Sequence, residues 1–253
     1  MGLAGSTAVA QPRVERPYWT LSLYPDAGEA GGCLIAPRVG AVGGLVVPDP
    51  DRSEAEADRR ARGQIRRYCA ANRLNRFITL TYAGEGCHNE RAFRAHIAEA
   101  FKDLRRRLGG EPLPYLWVPE WHPGGHGLHG HAAVGRYVPR SKLVESWPHG
   151  YVSIKLIGDL PVGSGALEEA RRCAGYLAKY VGKAIGERRA PGLHRYEVAQ
   201  GFQPQVVKLE GRSVDAVIRQ ASDVMGGAPS EVWRSDDQEG WDGPPICSVR
   251  WNG

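Results

Sequence analysis

The sequence predicts an α+β fold, an antiparallel sheet with helices packed on it, built on one main core within 253 residues. Strand-like and helix-like segments follow one another in the order β, α, β, β, short α, β, α. Gly and Pro, 33 and 18 residues, make up about a fifth of the chain, well above the roughly 12% of average usage, so turns are frequent. Hydrophobic residues at 42% and charged residues at 24% allow a sizeable buried core and exclude wholesale disorder.

Residues 1–50 are punctuated by Gly and Pro and only weakly periodic. They read as an irregular N-terminal extension, with short strand candidates at Tyr18–Leu23 and Leu45–Val47. From Ser53 to about Asn72 good helix formers dominate, and Ile65, Tyr68 and Cys69 share one face. Arg76–Tyr82 (RFITLTY) alternates β-branched and aromatic residues as a central strand does. Asn89 is placed to cap a helix whose Phe93, Ile97, Phe101, Leu104 and Leu108 form an apolar stripe closed by Gly109 and Gly110. Tyr115–Glu120 and Leu128–Val134 form a hairpin around the turn His122–Gly127. Ser141–Trp147 is a short helix, Tyr151–Leu156 a strand, and Ser164 to about Ile185 a long helix.

Charge is distributed unevenly. Arg59, Arg60, Arg62, Arg66, Arg67, Arg73 and Arg76 fall in one stretch without an acid, which is either a surface for a phosphate backbone or a solvated helix face. Residues 210–253 carry eight acids against four Arg, a poor composition for holding phosphate. No run approaches ~18 apolar residues, and the longest uncharged run, Trp121–Gly135, holds four His, so no membrane span is expected. Five Cys without a C-x-x-C pair argue against a disulfide framework or thiolate zinc site and fit a reducing cytoplasm.

Two constellations carry chemistry. In a strand alternate residues share a face, so His129 and His131 project together while Leu128, Ala132 and Val134 face the other way. Glu120 lies across the hairpin, and an imidazole pair with a carboxylate suits Zn²⁺, Mn²⁺ or another divalent ion. His122 and His126 read as turn residues or outer donors. On the long helix, Tyr176, Lys179, Tyr180 and Lys183 fall within about 100° of one another, opposite a stripe of Ala170, Ala174, Leu177, Val181 and Ala184. A phenol ionises near pH ~10, so as a nucleophile it needs a polarised electrophile or nearby cations.

Together these residues resemble an HUH endonuclease of the rolling-circle replication initiator (Rep) superfamily. Phe77–Tyr82 resembles motif I, Glu120 with His129-Gly-His131 motif II, and Tyr176-Leu-Ala-Lys-Tyr180-Val-Gly-Lys183 motif III. The last is most similar to the two-tyrosine form in gene A proteins of small single-stranded DNA phages and in actinobacterial plasmid and integrative-element Rep proteins. Conjugative relaxases place the tyrosine before the His pair, unlike this chain. Gly130 departs from the pattern, which has a bulky hydrophobic residue between the two His.

The resemblance implies a ferredoxin-like or RRM-like sheet, with an HUH domain over 51–253, a motif core at 75–186 and a C-terminal extension at 190–253. It implies a Mg²⁺ or Mn²⁺ ion held by Glu120, His129 and His131. It also implies nicking of single-stranded origin DNA by Tyr176 or Tyr180 through a 5′-phosphotyrosine, with Lys179 and Lys183 stabilising charge and the Arg run holding DNA. No P-loop is visible, so a helicase and a polymerase would come from the host. The rival readings are a two-tyrosine transposase using the same site and a non-catalytic DNA-binding protein with a structural zinc.

Overall fold

The computed structural model describes residues 16–36, 50–156, 165–183 and 194–252. Its strands are β1 (Tyr18–Tyr24), β2 (Glu29–Ile35), β3 (Arg76–Tyr82), β4 (Tyr115–Trp121), β5 (Leu128–Val134), β6 (Gly150–Leu156), β7 (Glu197–Val198), β8 (Val207–Gly211), β9 (Glu231–Arg234) and β10 (Ile246–Arg250). Its helices are α1 (Pro50–Ala71), α2 (Glu90–Arg107), α3 (Arg140–Ser146), α4 (Ala166–Lys183) and α5 (Val214–Met225). Among the described residues they build two five-stranded antiparallel sheets, ordered β6-β3-β5-β4-β7 and β8-β1-β2-β10-β9. The fold is α+β, and its central sheet with flanking helices is consistent with the HUH endonuclease fold. No helix among the described residues is long and apolar enough to cross a membrane.

The period-2 pattern of β3 divides the central sheet into two working faces. Ile78, Leu80 and Tyr82 are buried with Ala132 and Val134 of β5 against Phe93, Ile97, Phe101 and Leu104 of α2. Asn89 caps α2, its side chain accepting from the backbone N–H groups of Arg91 and Ala92 at 3.0 Å, which satisfies two donors that a helix start leaves unpaired. On the opposite face, Leu116 and Val118 of β4 and Ala133 of β5 pack against Ile65, Tyr68 and Cys69 of α1 and Ala174, Leu177 and Val181 of α4. The stripe expected along α4 is therefore the packed one, apart from Ala184, which lies outside the described residues.

Gly130 has a local explanation. A Cβ there would meet Ile97 Cδ1 at 2.9 Å and Phe93 Cζ at 3.4 Å, so side chains from α2 occupy the space that a bulky residue on β5 would need. The missing bulk is supplied from the helix instead.

The extension expected to be irregular is not so between 18 and 35. Trp19, Leu21 and Leu23 alternate inward along β1, which pairs with β2 on one side and with β8 on the other. The second sheet thus joins the two ends of the described chain, and α5 closes its core with Val217, Ile218 and Ala221. The strand candidate Leu45–Val47 lies outside the described residues. In β2 the pattern is interrupted by Gly31 and Gly32, yet at Gly32 a side chain has no room: a Cβ there would sit 2.2 Å from the Thr20 carbonyl oxygen.

Charged pairs and carbonyl contacts fix the two sheets to one another. Glu29 of β2, 4% exposed, receives Nε and Nη2 of Arg66 at 2.7 and 3.0 Å, with Arg67 at 3.7 Å. Arg171 of α4 donates to the carbonyls of Ala27, Gly28 and Trp251 at 3.1, 2.9 and 3.0 Å, tying the start of β2 and the end of β10 to the helix that carries the tyrosines.

Candidate active site

The site lies on the α1/α4 face of the central sheet, where three neighbouring strands present polar side chains in register. His131 is opposite Thr79 of β3 and Val118 of β4, and His129 is opposite Glu120. The Nε2 of His131 lies 2.6 Å from Oε2 of Glu120, while its Nδ1 faces the Thr79 hydroxyl at 3.3 Å. The Nδ1 of His129 faces the Thr81 hydroxyl at 3.4 Å. Each threonine thus orients one ring, a partnership that ligand imidazoles ordinarily require.

His129 Nε2 is buried and has no hydrogen-bond partner. An unsatisfied buried ring nitrogen is costly, and binding a cation is one way to satisfy it. Burial, followed by the neighbouring His122, His131 and His126, pushes the His129 pKa down, with Glu120 opposing, so the neutral ring that a metal requires is favoured. These donors fit a divalent ion, although among the described residues no three His, Cys, Asp or Glu side chains already converge as a metal-holding group.

The other two histidines of the hairpin belong to its turn. His122 Nδ1 accepts from the Gly124 backbone N–H at 3.0 Å and its ring stacks on His129 at 4.7 Å. His126 Nε2 meets the Tyr82 carbonyl at 3.1 Å.

Helix α4 brings its phenols to this face. The Tyr180 ring stacks on His131 with centroids 3.8 Å apart and planes 15° apart, and Phe77 of β3 supports both rings at 6.1 and 5.6 Å. Tyr176, one turn earlier, lies 6.4 Å from Phe77 and has two ammonium groups over its ring, Lys179 at 4.8 Å and Lys155 at 5.9 Å. The two tyrosines therefore share a helix face but have different neighbours. Lys183 ends α4, and its side chain lies outside the described residues.

Lys155 was missed by sequence reasoning. The signal was present, because Tyr151, Ser153 and Lys155 alternate along β6 and pair with Thr81, Thr79 and Phe77, which places all three on the tyrosine face. Only the register with β3, separated from β6 by two other strands in the chain, reveals this.

The arginine run separates into two groups. Arg59, Arg60 and Arg62 are exposed on α1, Arg62 with its guanidinium 3.9 Å from Oδ2 of Asp58. Arg66 and Arg67 hold Glu29, Arg73 donates to the Asp26 carbonyl at 2.6 Å, and Arg76 donates to Asn75 Oδ1 at 2.9 Å. Much of the positive charge at 66–76 is therefore engaged within the fold, and the free stretch is shorter than the sequence suggested.

A sheet bearing paired histidines and a carboxylate, faced by a helix bearing tyrosines, is consistent with the HUH endonuclease fold that the sequence resembles. Residues 75–185 match the family model described as replication-associated protein ORF2/G2P, which bears out the resemblance to a rolling-circle replication initiator. Neither a curated protein nor a solved structure matches the chain. The matched segment begins just before β3 and ends just after α4, so it contains all three motifs and leaves out the second sheet.

Proposed function

We propose that this protein is a replication initiator that nicks and rejoins single-stranded DNA at an origin, using Tyr176 and Tyr180 as nucleophiles and Glu120, His129 and His131 as ligands of a Mg²⁺ or Mn²⁺ ion. The observation that carries the reading is the stack of Tyr180 on His131. It brings a phenol alongside an imidazole that touches Glu120 and shares its face with the unpartnered Nε2 of His129.

A divalent ion at these donors would polarise the scissile phosphate. The protein's own groups do the rest. Thr79 and Thr81 fix the imidazoles, and α4 holds a phenol for in-line attack on phosphorus. Attack joins the tyrosine Oη to the 5′ phosphate and breaks the bond from phosphorus to the 3′ oxygen. The phenol proton is lost and the departing 3′ oxygen gains one, leaving a 3′ hydroxyl able to prime synthesis. Lys155 and Lys179, whose ammonium groups lie over the Tyr176 ring, offset charge on the phosphoryl oxygens. Attack by a 3′ hydroxyl on the phosphotyrosine reverses the bond changes, which rejoins the strand and restores the phenol. A second phenol on the same helix face allows a second cleavage before the first link is resolved.

Arg59, Arg60 and Arg62 are the arginines best placed to meet the DNA backbone, and a host helicase and polymerase would supply unwinding and synthesis. The test is a denaturing gel of the protein incubated with Mn²⁺ and single-stranded DNA from its own genetic element. A covalently shifted band that disappears with chelator supports the proposal. A full band in EDTA would overturn the metal assignment, and no band with any divalent ion would overturn nicking.

A further inference from the structure

A cavity of about 430 Å³ lies between α1 and the segment leading through β7, lined by Ala61, Gln64, His194, Arg195, Tyr196, Glu197, Val198 and Gln200. Its volume falls within the ~300–1,000 Å³ usual for clefts that hold small ligands. We propose that it captures one unpaired base of the DNA strand being processed, an inference that rests on the nicking reading above and gives that reaction a source of sequence preference.

The lining is assembled by specific bonds. Arg195 is held by Asp58 and by Glu54 at 3.4 Å, and Glu197 receives Arg94 at 2.5 Å. The Tyr196 hydroxyl donates to Gln64 Oε1 at 2.5 Å, and Arg94 also donates to the His194 carbonyl. These pairings compensate the charges on the wall. The hydrogen-bonding groups remaining on it are the Nε2 of Gln64, the Gln200 amide and the His194 imidazole, beside the Tyr196 ring and the apolar Ala61 and Val198.

An aromatic ring, two amides and compensated charge suit a flat, neutral heterocycle that presents both donors and acceptors. A nucleobase is such a group, and unpaired bases are read by stacking and by hydrogen bonds to their edges. The Gln200 amide matches adenine best, accepting from N6 and donating to N7, and Gln64 Nε2 adds a further donor. Charge on the adjoining helix fits the rest of a nucleotide: Arg60 is exposed one turn before Gln64, where a phosphate attached to a bound base would lie. The location fits as well. Glu197 pairs with Trp117, three residues before Glu120 on β4, about 10 Å along the strand at ~3.3 Å per residue. A short stretch of the same DNA strand covers that span.

The test compares binding of a dA 12-mer, a dT 12-mer and an abasic 12-mer to the full chain and to two variants, by fluorescence anisotropy at fixed salt. Ala61→Trp fills the cavity. Gln64→Ala removes an exposed amide and keeps the test decisive if the Trp variant does not fold. The expected result is a preference for dA over the abasic strand of about fivefold or more, as expected for a stacked base, falling toward unity in Gln64→Ala and in folded Ala61→Trp, with abasic binding unchanged. An unchanged preference in Gln64→Ala, or in Ala61→Trp where that variant folds, overturns the pocket. Covalent adduct formation measured on the same samples separates the two readings. Adduct with an unchanged preference defeats the pocket alone, whereas absence of both adduct and single-strand binding defeats the nicking reading and the pocket with it.

Discussion

Tyr180 and His131 lie face to face, ring centroids 3.8 Å apart and 15° from parallel, so a candidate nucleophile packs directly on a candidate metal ligand. Tyr176 instead sits under Lys155 and Lys179. Phenylalanine at either position keeps the ring and removes only the hydroxyl. Each single variant should still form some adduct while losing the coupled cleave-and-rejoin cycle, and the double variant should form none. Gel quantification of adduct and of circularised product checks this. One silent substitution beside one that abolishes all adduct would mean a single nucleophile.

Removing His129 should separate binding from chemistry. Its Nε2 bonds to nothing, so His129→Ala should cost the fold little while abolishing adduct, with affinity for single-stranded DNA retained because phosphate contacts come from Arg and Lys. Circular dichroism, anisotropy and adduct assays on the same preparation test all three statements. His131→Ala should lose adduct too but should also lower thermal stability, since His131 is 6% exposed and stacked on both Tyr180 and Phe77.

The arginines should divide by function. Reversing Arg59, Arg60 and Arg62 together should flatten the dependence of log affinity on log salt, because each lost phosphate contact reduces counterion release by roughly one ion. Arg66→Ala should instead act on stability, leaving the buried Glu29 carboxylate without its bidentate partner. The cost should be about 1–2 kcal/mol, less than for a fully buried pair because Arg66 is partly exposed and Arg67 stands nearby. Urea titrations and salt-dependent binding distinguish the two effects.

Acidification should destabilise the protein through His149. This ring stacks on His96 at 4.0 Å, and His96 is also bonded through Nδ1 to the Tyr82 hydroxyl. Burial first and His96 second lower the His149 pKa from its ordinary 6.5, against Glu99. The unfolded chain therefore binds the proton more readily, so the contribution is fully present above about pH 6.5 and is lost as pH falls through the lower folded value. His129 shifts in the same direction. Melting temperature should drop below that pH, and His149→Gln should reduce the slope without removing it. An identical slope in the variant would exclude His149 as a cause.

Space behind β5 gives a packing test. Gly130→Leu should destabilise by about 1–3 kcal/mol through overpacking against Ile97 and Phe93. Combining it with Ile97→Ala should recover part of that loss, and additive losses would show that no such exchange of volume exists.

The central sheet and its helices were legible because their signals are local. Arg76–Tyr82 and Leu128–Val134 have the boundaries expected from alternation, and Asn89 with the Phe93, Ile97, Phe101, Leu104 stripe marks α2 unambiguously. The second sheet was not legible because its pairings are remote: Trp19 pairs with Gly211, and Cys33 with Ile246. One element there did carry a signal, since Ser213 caps α5 ahead of Val214, Val217, Ile218 and Ala221, and Gly226 ends it in the left-handed region at φ 73. In the site, the face shared by His129 and His131 follows from their spacing alone. The partner of Arg66 and the place of Lys155 depend on which distant strand lies alongside, and charge counting does not reveal that.

The most direct measurement is mass spectrometry of the covalent product. Trypsin cutting after Arg172, Lys179 and Lys183 separates Tyr176 and Tyr180 into different peptides, so each attachment site reads independently. A 5′-phosphonucleotide on the peptide holding Tyr176, on that holding Tyr180, or on both is the expected result, and it should not form when chelator is present from the start. DNA attached to some other residue, or no attachment with active metal and single-stranded origin DNA present, would contradict the assignment of α4 as the nucleophile helix.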